Sequence, residues 1–305
     1  METASGQGAA FLEPQPPKPI ERHGIRRGIY ILPSLFTVGT LVCGYYALLS
    51  TQRAGQFLAA ASAATVASRA ADLARMAAEA FDNASKALGW AIVFDGFDGR
   101  IARMTNTASA FGRELDSLAD VVAFGVAPAA LAYVWGVRAL GDLSGIPFIQ
   151  HLPDLAWILT FGYVICGAAR LARFNVDTVK PTGDRRFFVG MPIPAGAGFV
   201  AAVVHFYKQP LLSWQLSLVW LVMMGILGFL MVSRMRYYSF KVLDLRKRRS
   251  YLGIIVIGLV IVGIFRFSEP VLLTIALTYT ISGIVLKITS KLRPNPPAHE
   301  EVHAA

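Results

Sequence analysis

The chain has 305 residues, 55% of them hydrophobic and 16% charged, and its mean hydropathy is +0.52. Soluble domains average about 45–50% apolar and roughly 25% charged residues, so this composition excludes an ordinary water-soluble domain and makes the bilayer the expected solvent. The net charge of +10 fits a membrane topology signal and anionic lipid headgroups, and no nucleic-acid partner is expected.

In chain order, residues 1–27 are polar and proline-rich, with Pro14, Pro16, Pro17 and Pro19 followed by basic residues, the composition of a disordered tail. No basic segment there leads into a short apolar run and a cleavage site, so no removable signal peptide is expected. Eight apolar stretches then approach the about 17–25 residues needed to cross roughly 30 Å of hydrocarbon. They cover about 31–50, 87–104, 116–137, 155–174, 191–207, 212–232, 251–266 and 269–287. The fifth is short and carries Pro192 and Pro194. The expected fold is an all-α integral membrane protein of about eight transmembrane helices, with one domain over 28–288 and a disordered tail over 289–305.

Between the first two stretches, residues 53–86 repeat Leu73, Met76, Ala77, Ala80 and Phe81 at helical spacing, with Asp72, Arg75, Glu79 and Asp82 on the other face. This segment reads as an amphipathic insertion on the outer surface. Cys43 and Cys166 both fall in apolar stretches and suit packing rather than a disulfide framework. His299-Glu300-Glu301-Val302-His303 matches a zinc-protease pattern by letter. Its context, after prolines and two residues before the last residue of the sequence, is wrong for two histidines on a packed helix face. His23, His151 and His205 are scattered and form no cluster.

Most of the 29 basic residues fall in alternate connections. Arg22, Arg26 and Arg27 precede the first span, Arg100, Arg103 and Arg113 join the second and third, and Arg170, Arg173, Lys180, Arg185 and Arg186 follow the fourth. Arg234, Arg236, Lys241 and Arg246 to Arg249 follow the sixth. Short loops rich in Lys and Arg stay in the cytoplasm, so both termini and these connections are expected inside.

Ionisable groups at membrane depth mark function by default, and they gather at one place. The second span ends in Asp95-Gly96-Phe97-Asp98-Gly99-Arg100-Ile101-Ala102-Arg103, and the third opens with Gly112-Arg113-Glu114-Leu115-Asp116-Ser117-Leu118-Ala119-Asp120. Asp95 and Asp98 are three apart and Asp116 and Asp120 four apart, so each pair shares a helix face, and the short connection makes the two helices antiparallel neighbours. Four converging carboxylates need compensating cations. An all-oxygen donor set selects a hard ion such as Mg²⁺ or Mn²⁺, and four carboxylates suit two ions that would clamp a diphosphate. Gly99, Ala102 and Gly112 permit close approach of a nucleotide or of the helices. A salt-bridge network with Arg100, Arg103 and Arg113, or a carboxylate-lined ion pathway, are the competing readings.

The pattern Asp95-x-x-Asp98-Gly99-x-x-Ala102-Arg103, eight residues, Gly112-x-x-x-Asp116-x-x-x-Asp120 resembles the signature of the CDP-alcohol phosphatidyltransferases. The resemblance implies a six-helix catalytic core, usually homodimeric, that takes CDP-diacylglycerol from the bilayer and releases CMP. It implies that Asp95, Asp98 and Asp116 bind metal and that Asp120 binds the second metal and accepts the proton of the attacking hydroxyl. Gly99, Ala102, Arg103, Ser109 and Gly112, with Pro33, Ser34 and Thr37 on the first span, would line the CDP-diacylglycerol site.

The stretch Asp116 to Pro128, with Ala172-Arg173-Phe174-Asn175, Gly190-Met191-Pro192-Ile193-Pro194-Ala195 and Met231 to Lys241, is similar to the phosphatidylserine synthases of this family. L-serine is therefore the expected acceptor, ahead of glycerol 3-phosphate, inositol or choline. Its carboxylate calls for a cation, for which Arg173, Arg185, Arg234, Arg236 and Lys241, together with Asn175, are candidates and Arg170 and Arg186 lie on the same side. Ser34 and Thr40 stand where the family commonly has asparagine.

Overall fold

The computed structural model describes residues 27–105, 110–137, 151–179, 187–238 and 250–292. The calls on the tail before residue 27, on Ser109, Arg185, Arg186 and Lys241, and on the His299–His303 pattern lie outside the described residues, as do the side chains of Pro33, Ala102, Arg103 and Arg236.

All eight expected spans fall on helices. These are α1 (Arg27–Ser62), α2 (Ala67–Thr105), α3 (Ala110–Asp120) continued through a π turn (Val121–Val126) into α4 (Ala127–Val137), α5 (Leu152–Val179), α6 (Ile193–Tyr207), α7 (Trp214–Val232), α8 (Ser250–Arg266) and α9 (Ser268–Leu292). Five segments, on α1, α3–α4, α5, α7 and α9, are long and apolar enough to cross a membrane, and α6 is a shorter apolar helix. The protein is thus a multi-pass, helical membrane protein. One short antiparallel sheet interrupts the helical pattern: β1 (Phe187–Val189) pairs with β2 (Arg236–Tyr238), with Phe188 opposite Tyr237.

The segment 53–86 is not a separate surface helix. Residues 53–62 prolong α1, a turn spans 63–66, and 67–86 are the first half of α2. Its alanines offer no proline to stop either helix. The 36 residues of α1, at ~1.5 Å each, make a rod of about 54 Å against roughly 30 Å of hydrocarbon. Ala77, Ala80 and Phe81 are buried as expected, but Met76 is exposed and Asp82 is turned inward. Asp82 faces the bundle because a basic partner waits there: His205 of α6 donates from Nδ1 to its Oδ1 (2.5 Å), and Lys86 pairs with Oδ2 (2.7 Å). His205 Nε2 lies 2.9 Å from Ser268 Oγ at the head of α9. Lys208, which ends α6 at φ +58, pairs with Glu269. Three helices are thereby tied at one end.

Large side chains fill the middle of the bundle. Trp135 of α4 meets Trp220 of α7 edge-on (centroids 5.1 Å), and Trp220 Nε1 donates to the Ala132 carbonyl (3.1 Å). Phe124, Tyr163, Ile193 and Met231 are almost wholly buried nearby. At the π turn a carbonyl leaves the usual ladder, and the Tyr163 hydroxyl donates to that of Phe124 (3.1 Å). Helix α1 crosses this turn at Gly44, where an added Cβ would lie 2.7 Å from the Ala123 Cα, so the close approach depends on glycine. Gly190 (φ +82) turns the chain from β1 toward α6, its N–H donating to the Met235 carbonyl (2.8 Å). Pro192 then caps α6 in an extended conformation. Helix α9 packs on α6 and β2, while α8 packs chiefly on α9.

Burial alone would raise the Asp82 carboxyl, but hydrogen bonds from His205 and Lys86 outweigh it and hold the group below its ordinary value. Asp82→Ala is expected to cost about 3 kcal/mol, read as a lower melting temperature in detergent. A group depressed in the fold stabilises above its unfolded pKa of about 3.9 and loses that contribution as pH falls through the lower folded value. The difference in melting temperature between wild type and Asp82→Ala should therefore hold between about pH 5 and 8 and shrink only in stronger acid.

Candidate active site

The end of α2 and the start of α3 meet against α1 and α5. Phe36 of α1 lies against Phe94 and Phe97 (ring centroids 6.2 and 6.1 Å), which pins the turn of α2 bearing Asp95 and Asp98. On α3, Asp116 and Asp120 sit one turn apart, and Asp120 is the last residue before the π turn. The sequence folds this way because Ala119, Ala123 and Ala127, all buried, give α3–α4 a narrow face against its neighbours.

One oxygen each from Asp95, Asp116 and Asp120 lies within 4.8 Å of the others, a group able to hold a metal ion. Asp120 is 8% exposed, and its Oδ1 is buried without a hydrogen-bond partner among the described residues. An acceptor-only atom in that position is costly unless a cation faces it. The donor set is all oxygen, which fits a hard divalent ion. Asp98, 7% exposed, stands beside this trio rather than in it, since its Oδ2 accepts a hydrogen bond from Thr37 Oγ1 of α1. Thr37 and Asp98, read from the sequence as separate contacts, are joined.

Among the other expected site residues, Gly99 is exposed on α2 immediately after Asp98, and Ser34 and Gly112 are partly buried on α1 and α3. Asn175 on α5 reaches Ser117 on α3, its Nδ2 donating to Ser117 Oγ (2.9 Å). Arg173 is engaged with backbone: Nη1 donates to the Val232 carbonyl (3.1 Å) and Nη2 to that of Val189 (3.2 Å). It holds the end of α7 against β1. Arg234 is exposed between α7 and β2.

Arg170 is the basic residue that the structure brings to the carboxylates. It is 8% exposed, its guanidinium lies over the Phe174 ring at 5.3 Å, and it interacts electrostatically with Asp120 and Asp95. In the sequence it is one of many arginines on its side, and only its position four residues before Phe174, inside the fourth span, sets it apart. The Asp82–His205–Ser268 cluster was missed for a related reason, although a lone histidine between Val204 and Phe206 in an apolar run signals that a partner must exist.

Residues 30–232 match the family model of the CDP-alcohol phosphatidyltransferases, a segment that contains all four aspartates and their arginine. The chain is 40% identical over 172 residues to a CDP-diacylglycerol–serine O-phosphatidyltransferase of Helicobacter pylori, covering 56% of this chain and 67% of the relative. A protein of the same name from Methanocaldococcus jannaschii is 36% identical over 194 residues, covering 64% and 79% respectively. Another, from Mycobacterium bovis, is 38% identical over 218 residues, covering 69% and 60%. With this match spanning more than half of the sequence and its signature aspartates drawn together at one end of the bundle, the chain belongs to the CDP-alcohol phosphatidyltransferase family.

Proposed function

We propose that this protein transfers the phosphatidyl group of CDP-diacylglycerol to the hydroxyl of L-serine, giving phosphatidylserine and CMP. The observation that carries the reading is the trio of Asp95, Asp116 and Asp120, whose carboxylate oxygens lie within 4.8 Å of one another, with Asp120 buried among them. Support for serine comes from relatives that bear that name over much of this chain.

In this reading Asp95, Asp98, Asp116 and Asp120 hold two divalent ions, Mg²⁺ or Mn²⁺, which when bound would polarise the diphosphate as Lewis acids. The serine oxygen attacks the phosphorus next to diacylglycerol, the bond from that phosphorus to the CMP oxygen breaks, and CMP departs. Asp120 accepts the hydroxyl proton at the oxygen that has no hydrogen-bond partner among the described residues. Arg170, buried on α5 over the Phe174 ring, pairs with the serine carboxylate. Thr37 keeps Asp98 in place from α1, and Asn175 ties α5 to the signature through Ser117. Gly99, Ala102, Arg103, Ser109, Gly112, Pro33 and Ser34 are assigned to CDP-diacylglycerol. Arg173 is assigned to support rather than to serine, and Arg185, Arg234, Arg236 and Lys241 to anionic lipid headgroups or the serine entry path. The site and both termini face the cytoplasm of a bacterial inner membrane, and the working unit is a homodimer.

The decisive assay is CMP release from CDP-diacylglycerol by purified protein with Mn²⁺ or Mg²⁺, comparing L-serine with glycerol 3-phosphate, inositol and choline. Release with serine alone is expected. Release with another alcohol would replace the acceptor, and none with any alcohol would leave a carboxylate-lined ion pathway as the better account. Asp120→Asn should lower the rate by about 100-fold or more while the protein stays monodisperse. Titration with Mn²⁺, followed by its electron paramagnetic resonance signal, should reveal two ions per chain, with fewer retained in Asp116→Asn. Two sites of unchanged affinity in that variant would remove Asp116 from the metal set.

A further inference from the structure

A second cluster of reactive side chains lies away from the aspartates. His205 of α6 stands between Asp82 of α2 and Ser268 of α9: its Nδ1 donates to Asp82 Oδ1 at 2.5 Å, and its Nε2 lies 2.9 Å from Ser268 Oγ. With the ring proton on Nδ1 and turned to the carboxylate, Nε2 presents its lone pair to the serine hydroxyl, which donates to it. Lys86 pairs with the other Asp82 oxygen at 2.7 Å and leaves Oδ1 to the ring. Asp82 and His205 are 9% and 5% exposed, whereas Ser268 is only partly buried. Helix packing is served by hydrogen bonds in any order. The order carboxylate, Nδ1, Nε2, hydroxyl is the one that turns a serine into a nucleophile.

Ser268 opens α9, and the N–H groups of Ser268 and Glu269 have no backbone acceptor among the described residues, as expected in a first helical turn. They are donors beside Oγ for the oxyanion that its attack on a carbonyl would create. The Glu269 side chain is engaged by Lys208. Phe265 and Phe267 are 88% and 58% exposed, and the Arg266 guanidinium lies over the Phe267 ring at 5.0 Å. Aromatic and basic side chains of this kind mark the boundary between hydrocarbon and headgroups, the level at which the ester carbonyls of glycerolipids lie. From Asp82 to Asp95, α2 runs about 20 Å at ~1.5 Å per residue, so the cluster is separate from the carboxylate trio. Ser268 also lies beyond the family match, which ends at residue 232. We propose that Asp82, His205 and Ser268 form an esterase centre that cleaves an acyl ester of a glycerolipid at the membrane boundary. Ser268 Oγ attacks the ester carbonyl carbon as its proton passes to His205 Nε2. The bond from that carbon to the glycerol oxygen breaks, and the oxygen leaves with the proton from His205. Water, deprotonated in turn by His205, then attacks the acyl-serine, which releases the fatty acid and restores the hydroxyl. Asp82 holds the ring and balances its positive charge while it carries the extra proton. This activity is independent of phosphatidyl transfer.

The test is reaction of the full chain in detergent with a fluorophosphonate probe, read by peptide mass mapping, alongside fatty acid release from mixed micelles of phosphatidylglycerol and phosphatidylcholine. One phosphonyl group per chain on Ser268 is expected, and none on Ser268→Ala. His205→Gln should be labelled at least about 100-fold more slowly, with fatty acid release falling in parallel, the scale of losing a general base. Ser268→Ala should keep wild-type CMP release. Melting temperatures are measured for each variant, because His205→Gln also loosens the packing of three helices; if it fails to fold, Ser268→Ala, which loses one hydrogen bond at a partly buried position, decides alone. No label on Ser268 in monodisperse wild type would overturn the proposal and leave the cluster as a tie between helices. So would equal labelling of a folded His205→Gln, which would mean that the hydroxyl reacts without its base. Labelling of Ser268 with no fatty acid release, or with release that persists in Ser268→Ala, would overturn the lipid ester as its substrate.

Discussion

Three carboxylates with oxygens within 4.8 Å of one another in a helical membrane bundle, with a fourth beside them, repel one another, and the low dielectric around them makes that repulsion expensive. Everything near the site answers this problem. Thr37 donates a hydrogen bond to Asp98 from α1, Arg170 supplies a buried positive charge from α5, and the trio of Asp95, Asp116 and Asp120 offers an oxygen-only seat for a hard cation. Such a cluster of acceptor-only oxygens suits a hard cation.

Holding such a site requires a frame that does not relax. The tryptophan pair of α4 and α7, the Tyr163 bond to the π turn and the Arg173 clamp between α7 and β1 each link elements far apart in the chain. Near the middle of α2, Asp82 draws in α6 and α9 through His205 and Ser268. The same helix therefore carries charge near its middle and toward its end, compensated at the first by protein groups and at the second by groups that suit a ligand.

The helical spans and the four aspartates were legible in the sequence because both depend on local spacing: run length for the spans, and three- and four-residue intervals for the carboxylates. The tertiary pairings were not. Asp82 reads as the polar face of an amphipathic helix until His205, far along the chain, turns it inward. Arg173 and Arg170 are equivalent as letters, yet one is consumed by backbone carbonyls and the other is buried over the Phe174 ring. The three-residue strands of β1 and β2 are too short to show any alternation, and they pair across more than one intervening helix. The length of α1 and α2 escaped for a different reason, since hydropathy marks where a span leaves apolar character and not where its helix stops.

The π turn after Asp120 separates two demands that an unbroken α-helix would couple. In a regular helix each residue advances about 100° around the axis, so the direction of Asp116 and Asp120 would dictate which side chains of α4 enter the bundle. Widening one turn inserts a rotational offset between them. The aspartates can then point at the ligands while Leu131 and Trp135 point at the core. The consequence is a register sensitivity unlike that of the neighbouring helices: if residues 121–126 closed into ordinary α geometry with none lost, the carboxylates would rotate by about one residue, roughly 100°, relative to Leu131 and Trp135, with no change in composition and no charge removed.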